Sequence, residues 1–111
     1  MLRQLIFNLL LNAVESMTGR GEVTVASRNL PPEEGRPLFV EIRVSDQGSG
    51  IADKDLPRIF DPFFTTKDRA SGLGLAAAHY ITEAHQGLIR VESRQGEGTT
   101  FTVLLPARLA V

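Results

Sequence analysis

Leu88-Ile89-Arg90-Val91-Glu92-Ser93-Arg94-Gln95-Gly96-Glu97-Gly98-Thr99-Thr100-Phe101-Thr102-Val103-Leu104-Leu105 is the stretch that decides the fold class. Residues 88–94 and 99–105 alternate apolar and polar side chains, the period of a strand that lays one face on a core. Gln95-Gly96-Glu97-Gly98 between them is a hairpin signal. The same alternation occurs upstream at residues 22–28 and 38–45, around a loop marked by Pro31, Pro32 and Gly35. So short a connection makes that pair antiparallel as well.

Two stretches carry the helical period instead. Over residues 2–17, Leu2, Leu5, Ile6, Leu9, Leu10, Ala13, Val14 and Met17 recur at three- and four-residue spacing, with Thr18-Gly19 as the stop. Gly74 to Gln86 places Leu75, Ala78, Ile81 and Thr82 on one side, and Gly87 closes it. A short helical piece is expected from Lys54 to Phe60, and the polar segment 61–71 has no period and reads as a mobile loop. The order helix, two strands, loop, helix, two strands predicts an α+β fold, a two-layer α/β sandwich with helices packed on one face of a mixed, largely antiparallel sheet.

The 111 residues make one domain with one core. Twelve basic against thirteen acidic residues leave a net charge of −1, so no broad field recruits nucleic acid or an anionic membrane. The chain contains no cysteine, which excludes disulfides, thiolate metal sites and a thiol nucleophile. No apolar run approaches a membrane span. The N-terminus superficially resembles a secretory signal, but Asn8 and Asn12 interrupt its apolar stretch and Glu15 stands where a small residue is wanted.

Three stretches carry chemistry. On the first helix, 100° per residue gathers Gln4, Asn8, Asn12 and Glu15 into a narrow polar stripe shared by Leu11. A solvated face is the plain reading, yet asparagine is a poor helix former for that purpose. A carboxamide oxygen is instead a neutral hard ligand suited to Mg²⁺, which takes most of its ligands from phosphate and water. Asp46-Gln47-Gly48-Ser49-Gly50-Ile51 directly follows a strand: either a capped turn, or glycines that admit a flat ligand while Asp46 accepts from an amino group such as the adenine amine. Phe60-Asp61-Pro62-Phe63-Phe64-Thr65-Thr66-Lys67-Asp68-Arg69 places three phenylalanines, expected to anchor a loop base, ahead of a cationic tip. Glycines 72 and 74 then open a helix whose N–H groups form an anion site.

Gly72-Leu-Gly74-Leu-Ala-Ala77 also fits the dinucleotide pattern, with Glu92 near the expected acidic offset, but polar residues precede it where that pattern needs a buried strand. No P-loop motif occurs.

Together these stretches resemble the ATP-binding catalytic domain of sensor histidine kinases. Residues 4–13 look like that family's N box, 46–50 its G1 box, 60–64 its F box and 71–75 its G2 box. His85-Gln86-Gly87 and Gly98-Thr99-Thr100-Phe101 match in order as well. The resemblance implies a Bergerat-type ATP site. Asn12 would be the Mg²⁺ ligand, with Asn8 on phosphate or metal. Asp46 would hold the adenine amine in a pocket shaped by Gly48, Gly50 and Ile51, with Thr99 supporting the aspartate. Gly72, Leu73, Gly74 and Leu75 would face the phosphates, and Lys67 would reach the γ-phosphate, acting in catalysis with Asn12. Relatives in the wider superfamily place a glutamate base four residues before the metal-binding asparagine. Here that position is Asn8, which takes no proton and so favours a kinase that awaits its acceptor over a self-sufficient ATPase.

The resemblance therefore implies transfer of the γ-phosphate from Mg·ATP to a histidine on a separate dimerisation domain and, indirectly, to a response regulator. A degenerate nucleotide-binding or partner-docking module is the alternative, motivated by Ala70 where the family has glycine. Residues 1–111 are expected to be a single catalytic domain, N-terminally truncated, monomeric and cytoplasmic, from a parent that can be membrane-anchored. The family's preceding strand and phosphoacceptor helices are expected to lie outside it, leaving His79 and His85 with structural roles.

Overall fold

The computed structural model describes residues 1–31, 38–65 and 73–107. Its elements follow the expected order: helix α1 (Leu2–Glu15), strands β1 (Val23–Leu30) and β2 (Phe39–Asp46), a 3-10 turn (Leu56–Arg58), helix α2 (Gly74–Ala84), and strands β3 (Leu88–Arg94) and β4 (Gly98–Pro106). Both helices pack on one face of a four-stranded sheet ordered β1-β2-β4-β3, in which all three pairings are antiparallel. The chain forms two hairpins whose inner strands, β2 and β4, pair with each other. β2 and β3 therefore run parallel with β4 between them, and α2 lies on the crossover that joins them.

Strand periodicity sets which side chains reach the helices. Register aligns Val44 with Phe101 and Ile42 with Val103, and Phe101 in turn with Val91. Val44, Phe101 and Val103 are fully buried, under Leu5, Leu9 and Ala13 of α1 and Ala78 and Ile81 of α2. Phe60 adds an edge-to-face contact with Phe101 at 6.3 Å between ring centres. Threonine is unusual inside a helix, and Thr82, fully buried, returns its hydroxyl proton to the Ala78 carbonyl at 2.8 Å.

Several expectations are corrected. Helix α1 stops at Glu15, two residues early, because Ser16 turns its hydroxyl onto the Ala13 carbonyl (2.8 Å) and its amide caps Asn12. Gln86, not Gly87, takes the left-handed position after α2, at φ +60°. The amides of Gln86 and Gly87 close the end on the carbonyls of Glu83 and Thr82, both at 2.9 Å. Gly87 is required for space instead, since a Cβ there would run into the Leu104 carbonyl. Strand β1 is not half-buried: Val25, on the same face as Val44, is 51% exposed, because the helix layer reaches only the Val23 end of this edge strand. No described helix is long and apolar enough to cross a membrane.

Candidate functional site

At one end of the sheet, an apolar row finishes in a carboxylate. Val40, Ile42 and Val44 face the helices at every second position of β2, and Asp46 continues that row, 7% exposed. A carboxylate so placed needs hydrogen-bond donors. The Gly48 amide supplies one, donating to Asp46 Oδ1 at 2.8 Å. Across the sheet Asp46 is in register with Thr99, which is also buried.

The turn that follows is built into its surroundings on two sides. The Ser49 amide donates to the Ser16 carbonyl at the end of α1 (3.0 Å), and the Gly96 amide of the β3–β4 turn donates to the Ser49 carbonyl (2.7 Å). The Ile51 amide donates to Ser93 Oγ on β3 (2.8 Å). Glycine is needed here for these close approaches. A Cβ on Gly48 would sit 2.7 Å from the Ser16 carbonyl oxygen, and one on Gly50, at φ +72°, would meet the Arg94 carbonyl. The side of each glycine that a side chain would fill thus faces protein backbone, a reason for Gly48 and Gly50 that the sequence did not disclose.

On α1, Asn8 and Asn12 share the expected stripe one helical turn apart. Asn8 is buried, and its Oδ1 accepts from Gln4 Nε2 at 2.7 Å. That bond takes one of the two lone pairs of Oδ1 and leaves the other, with the amide hydrogens, for further partners. Asn12 is half-buried. Among the described residues no three of His, Cys, Asp and Glu cluster as a metal cage. Such a donor set suits a hard divalent ion that arrives with phosphate ligands of its own.

Helix α2 begins at Gly74 with Leu73 as its N-cap, and no side chain caps it. Its first turn carries no acidic residue, so no side chain of that turn offsets the positive end of the dipole. Leu75 is half-buried. Lys67 and Gly72, with Ala70 and Ser71, lie outside the described residues.

The three phenylalanines ahead of that segment divide. Phe60 stacks on His79 of α2 at 5.1 Å, while the Arg58 guanidinium lies 4.5 Å over the ring of Phe64. Phe63, also expected as an anchor, is 74% exposed. It occupies the third position of a turn closed by the Phe64 amide on the Asp61 carbonyl (3.2 Å), with φ +68°. Pro62 at the second position fixes that turn and so pushes the next residue outward. His79 holds Glu83 Oε1 at 3.0 Å and His85 caps α2, structural placements for both.

A cleft of about 460 Å³ opens beside Asp46, with Leu56, Val91, Ser93 and Thr99 on its walls. That is room for a nucleobase and sugar. Among the described residues none of α1 lines it. Asp46 and Thr99 thus share one cavity, Gly48 and Ile51 are bonded to its rim, and the two asparagines stand apart on the helix. Sequence reasoning missed Ser93. The available signal was its phase: Ile89, Val91 and Ser93 occupy the inward positions of β3, so Ser93 is the polar member of an apolar row.

Residues 1–109 match the family model described as histidine kinase-, DNA gyrase B- and HSP90-like ATPase. The chain is 44% identical over 108 residues to the sensor histidine kinase ZraS of Escherichia coli K12, covering 97% of this chain and 22% of that protein. The chain therefore spans about a fifth of that relative's length. Its structure is similar to that of the mycobacterial sensor histidine kinase MprB, with a TM-score of 0.78 and 31% identity over 95% of this chain and 69% of the other. It is also similar to full-length ShkA in complex with AMPPNP, with a TM-score of 0.77 and 32% identity over 95% of this chain and 21% of ShkA.

Proposed function

The chain belongs to the histidine kinase-, DNA gyrase B- and HSP90-like ATPase family, and on that premise we propose that it binds Mg·ATP at the Asp46 end of the sheet and donates the γ-phosphate to a histidine on a separate domain. One observation carries the reading: a buried carboxylate, Asp46, stands on the wall of a cleft large enough for adenosine and is steadied there by a backbone amide. Asp46 then accepts from the adenine amine, while Gly48, Gly50 and Ile51 hold the turn around it. Thr99 shares that wall.

The rest of the assignment follows the polar stripe and the helix end. Asn8, held at Oδ1 by Gln4, offers its amide hydrogens to phosphate or its remaining lone pair to the metal. Asn12 offers a carboxamide oxygen to Mg²⁺, which when bound neutralises phosphate charge in the transfer. Leu73, Gly74 and Leu75 turn the start of α2, which no side chain caps, toward the triphosphate. Gly72 is assigned to the phosphates as well, and Lys67 to the γ-phosphate. No carboxylate occupies the Asn8 position to activate water. A neutral imidazole attacks with its own lone pair and needs no such base, which favours a histidine acceptor. The ShkA complex with AMPPNP, an ATP analogue, supports the nucleotide class. A dimerisation domain bearing the histidine is the direct partner, and a response regulator the onward one.

Calorimetric titration of the chain with AMPPNP, with and without Mg²⁺, tests the site. Binding strengthened by Mg²⁺ is expected, and Asp46→Asn should weaken it by about tenfold or more, since an amide donor then faces the amine. Equal binding by the variant would overturn the adenine assignment. Labelled ATP added with a histidine-bearing dimerisation domain should yield phosphohistidine. Binding without transfer identifies a docking or storage module instead, and steady phosphate release by the chain alone identifies a self-sufficient ATPase.

A further inference from the structure

We infer that Ser93 is a positioning residue that fixes the direction of the hydrogen bonds on the base-facing wall of the cleft, so that this wall selects a 6-amino over a 6-oxo purine. The inference rests on the nucleotide reading above and names the residue behind its specificity.

Three polar atoms crowd the half-buried Ser93 Oγ. The Ile51 amide donates to it at 2.8 Å, the Gly98 carbonyl lies at 3.0 Å, and Thr99 Oγ1 lies at 2.7 Å. Serine has one proton to give and two lone pairs with which to accept. A carbonyl can only accept, so the Ser93 proton goes to Gly98. In the arrangement that serves all three partners the Thr99 hydroxyl donates to Ser93, which leaves Thr99 Oγ1 with lone pairs alone to offer the cleft. Thr99 is 5% exposed, too buried for water to reset it freely. Its register partner Asp46, on the same cleft, is acceptor-only as a carboxylate and already holds the Gly48 amide. Asp46 and Thr99 therefore present acceptors, whereas the donors lining the same cleft, Arg94 and Thr100, alternate to the other face of the sheet. An exocyclic amine set between Asp46 and Thr99, with two hydrogens, satisfies both, whereas a 6-oxo group set there faces them lone pair to lone pair and leaves only its N1–H to donate.

Removing the Ser93 hydroxyl undoes this. The Thr99 hydroxyl loses its acceptor and turns its proton to the cleft, and the Ile51 amide loses its anchor. The affinities of ATP and inosine triphosphate, measured with Mg²⁺ by calorimetry or by displacement of a fluorescent nucleotide, read out the change. In Ser93→Ala the preference for ATP over inosine triphosphate should fall about tenfold, because ATP weakens and inosine triphosphate does not. Ser93→Thr, which keeps the hydroxyl, should restore the preference. If Ser93→Ala does not fold, Thr99→Val makes the same test on the terminal acceptor, with the same expected fall. Equal weakening of both nucleotides, or an unchanged ratio in Thr99→Val, would reduce Ser93 to a structural bond and overturn the inference. A wild-type chain that binds ATP but shows no preference over inosine triphosphate overturns it as well, leaving the nucleotide site standing. A wild-type chain that binds neither nucleotide overturns both readings together.

Discussion

The two hairpins of the sheet carry the same alternating pattern, yet their outer strands, β3 and β1, have opposite fates. In β3–β4, the turn residue Gly96 reaches the Ser49 carbonyl, Ser93 holds the Ile51 amide, and Thr99 stands beside Asp46. In β1–β2, the outer strand β1 is exposed over nearly its whole length. Its Arg28 pairs within its own hairpin, with Glu41. Alternation establishes that a strand has two faces. Whether either is used depends on what the helix layer and the 46–51 turn lay against it. Strands β2, β4 and β3 are at once core and scaffold of the site, with Val44 and Asp46 on β2, whereas β1 only closes the sheet.

Truncation of one inward residue from each hairpin gives the strongest test of that contrast. Phe101→Ala empties a fully buried position at the centre of the core and should cost about 3–5 kcal/mol in chemical denaturation. Val25→Ala, on the same face but 51% exposed, should stay within about 0.5 kcal/mol. Similar losses from the two would mean that β1 is covered in solution after all.

Glycine substitutions sharpen the comparison where the β3–β4 hairpin meets the 46–51 turn. Gly50→Ala adds a methyl group against the Arg94 carbonyl at φ +72°, and strain plus overpacking should cost about 2–4 kcal/mol and abolish nucleotide binding. Gly96→Ala, at φ +85° with open space around it, should cost only about 1 kcal/mol, the strain alone, and leave binding intact. Thermal melts with and without AMPPNP separate the two. If Gly96→Ala also lost binding, the hairpin turn would belong to the site rather than support it.

Much of this was legible in the residues. The order of elements and the Asp46 turn follow from period and punctuation, which are local properties. Less legible was everything decided by what lies across a gap. Ser27 and Asn29 follow Val25 on one face of β1, a polar drift that signals exposure, yet only the position of the helices shows that Val25 shares it. Gly48 and Gly50 announce a turn but not the carbonyls of Ser16 and Arg94 that require them. Phe63 looks no different from Phe60 and Phe64 until the Pro62 turn sends it outward. Ser93 reads as one more polar residue in an alternating strand, and its three hydrogen-bond partners come from other segments or the far side of a turn.

The smallest expected effect lies in the exposed hairpin. Arg28 meets Glu41 with two contacts, 3.0 Å from Nε and 3.4 Å from the second guanidinium nitrogen, a fork that is the favourable geometry for this pair. Its surroundings limit that advantage: the arginine side chain is 68% exposed, so water screens the charges and ordering the long chain costs entropy. Glu41 is more enclosed, at 13%, which makes its removal the more disruptive single change. A double-mutant cycle with Arg28→Ala and Glu41→Ala should therefore give a coupling of about 0.5 kcal/mol, shrinking further as salt is raised. AMPPNP affinity should be unchanged in all three variants, because Arg28 and Glu41 sit on the opposite face of the sheet from Asp46 and several residues along β2 from it. A coupling of about 2 kcal/mol, or any nucleotide response, would show that β1 is energetically joined to the site, and the distinction between the two outer strands would fail.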